Sequence, residues 1–223
     1  MATFADLQNV QTELIRKAKS GSAFLAPISA DGVDEDFVGA GGVLAALPAE
    51  YQDLGWLSND GMGFSRDVST SDVTSFGSVS PTRSDVVSDT STVTVTCQET
   101  KLLTIGLATG IDTSAIKTPN PNGAVMVRKP VAPTSKFYRL FCISKDDGDA
   151  GDIYIARFFP RAKVTSFGEQ SFGGGDDPIS WGVTMTGYAD SDLGFTEAWL
   201  FGGPGWNALV TEMGFDAIPA ATP

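Results

Sequence analysis

Between residues 90 and 97 the side chains change character at every step: Thr90, Thr92, Thr94 and Thr96 share one parity, Ser91, Val93, Val95 and Cys97 the other. Wound on a helix, that order would scatter Val93, Val95 and Cys97 around the axis; on an extended backbone it places them together on one face. The segment is therefore a strand with one wet and one packed face, and it obliges the rest of the chain to supply neighbouring strands and a core. Over residues 99–107 the spacing becomes helical, with Leu102, Leu103 and Leu107 on one side and Gly110 placed to end the helix.

Ahead of this strand, residues 56–58 and 63–68 flank Asn59-Asp60-Gly61, whose glycine can take the positive φ of a tight turn, so a hairpin is expected there. Residues 69–89 change to Ser, Thr, Asp and Val with few large apolar groups. They carry β-propensity without the material for a core of their own, which suits a long hairpin arm that orders on a partner. At the N-terminus Phe4, Leu7, Val10, Leu14, Ile15 and Ala18 recur at helical intervals, and Thr3 and Asp6 are spaced as a capping box. This predicts a short amphipathic helix that docks either on the chain's own core or on a neighbouring molecule.

A strand over residues 23–28 follows, and the acidic cluster Asp31, Asp34, Glu35 and Asp36 reads as a solvated loop. Beyond the central helix, residues 124–131, 137–143 and 153–159 read as a meander of strands. The glycine-rich stretch 166–178 leads to strands over 179–188 and 195–201. The tail, with Pro204, Trp206 and Leu209, reads as a docking arm. No internal repeat marks a solenoid or propeller. The expected fold is mainly β, an antiparallel β-sandwich or barrel with one packed α-helix, a short N-terminal helix and extended arms. Residues 1–53 are expected to form the N-terminal helix, strand and arm, residues 54–201 the β-domain, and residues 202–223 a C-terminal arm.

Composition narrows the chemistry. With 15 basic against 27 acidic side chains the net charge is -12, which repels phosphate and anionic lipid and excludes a basic nucleic-acid footprint. No run approaches the ~18 apolar residues of a membrane span, and the N-terminus lacks a basic region followed by an apolar one, so synthesis in the cytosol and no membrane partner are expected. The chain has no histidine, which removes the usual general base, the Ser-His-Asp and Cys-His nucleophile systems and the commonest transition-metal ligand. Cys97 and Cys142 each lie in an apolar alternating run and read as small buried side chains, with a single bridge between them left open. Asp146, Asp147, Asp149 and Asp152, around Gly148 and Gly151, are the best ion-binding candidates but lack the EF-hand spacing. A solvated hairpin turn is the reading there, and no metal, cofactor or catalytic residue is assigned. Trp56, Trp181, Trp199 and Trp206 read as core and interface anchors rather than a sugar-stacking platform.

In the middle of the chain Leu54-Gly55-Trp56-Leu57-Ser58-Asn59-Asp60-Gly61, Phe64, Thr74-Ser75-Phe76-Gly77, Arg83-Ser84-Asp85 and the strand into Glu99-Thr100 occur in order. They are joined later by Phe158-Phe159-Pro160-Arg161-Ala162-Lys163-Val164 and by Trp181-Gly182-Val183-Thr184-Met185-Thr186-Gly187-Tyr188. This order resembles the major tail protein of siphovirus-type phages with long non-contractile tails, especially those of actinobacterial phages. The resemblance implies a virion tail subunit, assembled in the host cytoplasm, that closes sixfold rings whose sheets join edge to edge and stack into a tube. Partners are then other copies, tape-measure, tail-tip and terminator proteins, and genomic DNA passing through the lumen without specific binding. It also implies ring-to-ring contacts through the polar arm, for which Ser71, Asp72, Val73, Phe76, Val79, Arg83 and Asp85 are the candidates.

Two other classes compete. A carbohydrate-binding or adhesin sandwich predicts a stable monomer with exposed tryptophans, and a phage head-tail connector or decoration protein predicts oligomers without open-ended stacking.

Overall fold

The computed structural model describes residues 2–113, 116, 119–129, 131, 136–173 and 175–219. Among them eight strands form one antiparallel sheet: β1 (Ser20–Pro27), β2 (Gln52–Asp53), β3 (Leu57–Val73), β4 (Arg83–Cys97), β5 (Tyr138–Gly148), β6 (Gly151–Phe167), β7 (Trp181–Gly187) and β8 (Ala198–Gly202). The order across the sheet is β2-β1-β5-β6-β7-β4-β3, with β8 added to β6. Helix α1 spans Phe4–Leu7, α2 Leu102–Thr109 and α3 Pro204–Leu209.

The long strand β6 explains how one sheet makes two layers. One edge pairs with β5, while the other pairs first with β8, at residues 154–158, and then with β7, at residues 162–167. Between these two partners lies Pro160, which has no N–H to offer a ladder, and there two steps along β5 (Tyr138 to Leu140) are matched by three along β6 (Ala162 to Phe159). A bulge of this kind bends the strand and sharpens its twist. The sheet curls until Met62 of β3 approaches Gly21 of β1: a Cβ on Gly21 would lie 3.1 Å from Met62 Cε. Inside the curl sit Leu25, Leu54, Val93, Val95, Leu140, Phe159, Val183 and Met185.

Strands β1, β5 and β6 are buried on both faces. Leu140, Cys142 and Phe159 point into the curl, whereas Phe141, Ala156 and Phe158 point outward into a second core with Val33, Phe37, Tyr51 and Leu200. Such strands read as unbroken apolar runs, as Leu140-Phe141-Cys142-Ile143 does. Because β1 runs antiparallel to β5 along eight paired residues, from Ser20 opposite Lys145 to Pro27 opposite Tyr138, the strand ahead of Leu54 belongs to the same sheet as the strands that follow it. A buried ion pair holds the end of this core: Arg139 Nη1 lies 3.8 Å from the Asp190 carboxylate, and among the described residues Arg139 Nε has no hydrogen-bond partner. Burial pushes the Asp190 carboxyl up, but the N–H groups of Leu193 and Asp192 and the charge of Arg139 outweigh it and hold the group below its ordinary range.

Strand β4 and helix α2 lie where their periodicities predict. Val93, Val95 and Cys97 are buried, while Thr94 on the opposite face is exposed. At the start of α2, Thr104 Oγ1 accepts from the Lys101 N–H at 2.9 Å and donates to the Glu99 carbonyl at 2.8 Å. Gly110 ends the helix at φ 67, ψ 26, the left-handed conformation that suits glycine. Leu107 is buried in the curl with Leu103 packed beside it, whereas Leu102 is exposed.

Three expectations are corrected. The helix predicted near the N-terminus is reduced to the single turn α1 and a 3₁₀ turn at Thr12–Leu14, with Phe4, Leu7, Val10 and Ile15 exposed. An apolar stripe with nothing to dock on does not stabilise a continuous helix. The Thr3 and Asp6 pairing is present, with the Asp6 carboxylate accepting from Thr3 N–H at 2.7 Å. The hairpin expected at Asn59-Asp60-Gly61 is instead an irregularity within β3, where five steps from Leu57 to Met62 face two steps on β4, from Cys97 to Val95. Gly61 does take a positive φ of 67°, but in a bulge rather than a turn. Finally, residues 124–129 and 131 form no strand, and Val125, Met126 and Val131 are exposed. Among the described residues no neighbouring strand accepts them, and Pro130, where the expected strand also ran, lies outside the described residues.

Candidate assembly surface

The most prominent surface feature is the far half of the β3-β4 hairpin. Strand β7 pairs with β4 only from Thr92 to Cys97, and β3 is the last strand of the sheet. Among the described residues, the two strands beyond Thr92 therefore pair only with each other. Residues 65–89 are all exposed. The seven paired rows from Asp67 opposite Thr90 to Val73 opposite Arg83 project by roughly 20 Å at the usual strand rise.

With no core to hold it, the arm is held by its own polar groups. Arg66 makes a two-pronged pair with Asp89, Nε to Oδ1 at 2.8 Å, and Ser69 and Ser88 hydroxyls meet at 2.6 Å. The Arg66 side chain holds the Asp89 carboxyl below its ordinary value by hydrogen bonding and charge. At the tip, Thr82 N–H donates to the Val73 carbonyl at 2.8 Å, the Ser75 and Thr82 hydroxyls meet at 2.8 Å, and Ser78 N–H donates to the Ser75 carbonyl at 3.1 Å.

The candidate contact residues fall into three places. Ser71 faces Asp85 and Val73 faces Arg83, so these four share one face of the ribbon. Arg83 and Asp85 pair along it at 2.6 Å. Asp72 lies on the opposite face, across from Ser84. Phe76 and Val79 cap the tip, with relative exposures of 109% and 105%. The candidate set omitted Val68, Val86 and Val87, which are also exposed on the arm. A register shift between Ser69 and Thr70 leaves Val87 outside the ladder, which sequence alternation alone does not reveal.

The acidic loop is structural glue. Asp146 accepts from Lys17 N–H at 3.1 Å and from Asp147 N–H at 2.9 Å and lies 3.6 Å from Arg16. The Lys17 N–H, foremost, keeps its carboxyl below the ordinary value against partial burial. Asp147 pairs with Lys19 at 3.0 Å and Asp152 with Lys145 at 2.9 Å, while Asp149 stays exposed at the β5-β6 turn. These contacts pin the N-terminal segment to the sheet, and among the described residues no three carboxylates or thiols converge as a metal site. Cys97 and Cys142 are free and buried, and burial pushes their thiols up to about 11 and about 12.

The tryptophans have separate local partners. Trp181 donates to Thr100 Oγ1 at 3.3 Å, Trp199 lies under the Arg157 guanidinium at 5.3 Å, Trp206 stacks on Phe201 at 4.9 Å, and Trp56 is exposed. Among the described residues no helix is long and apolar enough to cross a membrane.

A polar two-stranded ribbon thus reaches away from a curled sheet, with no third strand beside it among the described residues. The chain belongs to the phage tail tube protein family, whose model matches residues 9–202. The match runs from the pinned N-terminal segment to the end of β8 and takes in the whole arm. No curated protein matches the chain. It is thus a structural protein of the virion tail whose copies self-assemble into a tube.

Proposed function

We propose that copies of this chain close head to tail into rings, six to a ring as the resemblance to siphovirus-type major tail proteins implies, and that the rings stack into a bore that conducts DNA during ejection. The observation that carries this reading is the pair of open sheet ends. Among the described residues no strand pairs with the outer edge of β3, and the outer edge of β1 meets the two-residue β2, opposite Phe24 and Leu25, and the Leu54 N–H, which donates to the Ala23 carbonyl at 2.9 Å. Exposed strand edges invite pairing with another chain, and a heterologous contact that closes by rotation hides every one of them.

The arm, too short of apolar bulk to build its own core, joins ring to ring. Its candidate residues, Phe76 and Val79 at the tip and the Ser71, Val73, Arg83 and Asp85 face, are the contacts. A net charge of -12 lets a phosphate backbone pass without lasting contacts, because like charges prevent the counterion release that drives nucleic-acid binding. The subunit acts without catalysis, is assembled in the host cytoplasm, and works with length-setting, tail-tip and terminator proteins. Residues 202–223 serve as a docking arm.

Electron microscopy of the purified protein over a concentration series, with size-exclusion chromatography, tests this reading. Hollow rings or tubes of uniform width are expected. A monomer that persists at every concentration, and in the presence of tail initiator components, refutes it.

A further inference from the structure

An apolar groove lies outside β1 and β5. Phe24, Phe37, Leu44, Leu47, Tyr51 and Phe141 line most of a cavity of about 280 Å³, open to solvent beside Leu44. Its volume falls just below the ~300 Å³ at which small-molecule sites begin, so it suits one large side chain rather than a folded segment. Among the described residues no charged side chain lines it, and the one polar side chain of the lining, Tyr51, already donates its hydroxyl to the Asp31 carbonyl at 2.9 Å. The groove therefore asks for a neutral, apolar visitor.

We propose that this groove receives Phe76 from the arm tip of another copy, so that the arm of one subunit is latched beside β1 of the next. The inference rests on the reading that copies of the chain stack, and it adds which surface receives the arm. Three features of the tip favour it over the other exposed apolar segments. Residues 74–82 contain no charged side chain, which matches the uncharged groove. Phe76 is fully exposed and touches no core of its own, so nothing must be given up to dock it. The tip is also already ordered by the Thr82 to Val73 and Ser75 to Thr82 hydrogen bonds, so little further freedom is lost on binding. The N-terminal segment, by contrast, carries Asp6, Glu13, Arg16 and Lys17 and is pinned to β5 through Lys17 and Lys19.

Mixing two single variants tests the latch between copies. Phe76→Cys and Leu44→Cys proteins are purified reduced, mixed, allowed to form tubes at a concentration more than about tenfold above the wild-type requirement, and oxidised with copper-phenanthroline. Leu44 is partly exposed and the native Cys97 and Cys142 are buried, so only the introduced thiols react. A reductant-sensitive heterodimer is expected in tubes of the mixture and in neither variant alone, since a disulfide requires the two Cα atoms within about 7 Å. Tubes without the heterodimer overturn the proposal, as does a heterodimer of Leu44→Cys with Leu7→Cys, which would put the N-terminal segment in the groove. Independently, Phe76→Ser is expected to keep the wild-type melting temperature while raising the protein concentration needed for tubes at least about tenfold, a loss equivalent to about 1.4 kcal/mol. Assembly of Phe76→Ser at the wild-type concentration overturns the latch while leaving stacking intact. Wild-type protein that never forms tubes overturns both readings.

Discussion

Replacing residues 71–85 by an Asn-Gly pair joins Thr70 to Val86, two residues that already face each other across the arm. A two-residue turn of that composition matches the twist of the strands it connects. The groups removed are all exposed: the ladder rows from Ser71 opposite Asp85 to Val73 opposite Arg83, the Arg83 to Asp85 pair, the Ser75 to Thr82 hydroxyl contact and the backbone bonds of the tip, and with them goes the cost of ordering these residues, about 1 kcal/mol or more each. An exposed ion pair contributes about 0–1 kcal/mol and a net hydrogen bond about 1 kcal/mol, and the shorter loop returns part of this through lower closure entropy. The expected loss is within about 1 kcal/mol, a Tm shift of at most roughly 4 °C for a chain of this size. Circular dichroism melting measures the first half of the prediction and electron microscopy the second, in which single rings persist and tubes do not form. A fall in Tm beyond roughly 10 °C would show that the arm is part of the core, and tubes of normal length would show that it joins nothing.

Phe159 is fully buried at the bend of β6 and stacks on Phe64 at 6.4 Å, so Phe159→Ala is expected to cost about 3–5 kcal/mol in urea unfolding, with a loss below about 1 kcal/mol contradicting the core assignment. The carboxyls of Asp146 and Asp152 sit below their ordinary value of 3.8, held chiefly by the Lys17 N–H and by Lys145 respectively. Their contribution is therefore complete above that value and is lost as pH falls through the lowered one, so Asp146→Asn should shallow the drop in Tm measured from about pH 6 to about pH 3. An unchanged acid profile would show that the pin at Lys17 does not report on stability. Cys97 and Cys142 should resist iodoacetamide at neutral pH in the native protein and react on unfolding, as read by mass spectrometry, because both are buried and their thiols are pushed up to about 11 and about 12.

Elements whose signal is local were legible in the order of the amino acids alone. The Thr90 to Thr96 alternation, the switch to helical spacing and the Gly110 stop survive in the folded chain because periodicity decides which side chains share a face before any partner arrives. The arm was legible for the same reason, through its lack of apolar bulk. How equivalent local signals are used, by contrast, depends on the packing of distant segments. Gly61 takes the predicted positive φ, yet the ladder with β4 makes it part of a bulge in a continuous strand. The apolar residues near the N-terminus have helical spacing, but without a docking face they yield one turn. The acidic loop offered four carboxylates in sequence, and three of them were taken up by Arg16, Lys19 and a backbone N–H brought from another segment and by the adjacent Lys145. The groove beside β1 draws on residues from 24 to 143, and no local pattern announces it, because a concave surface exists only once distant segments have packed against each other.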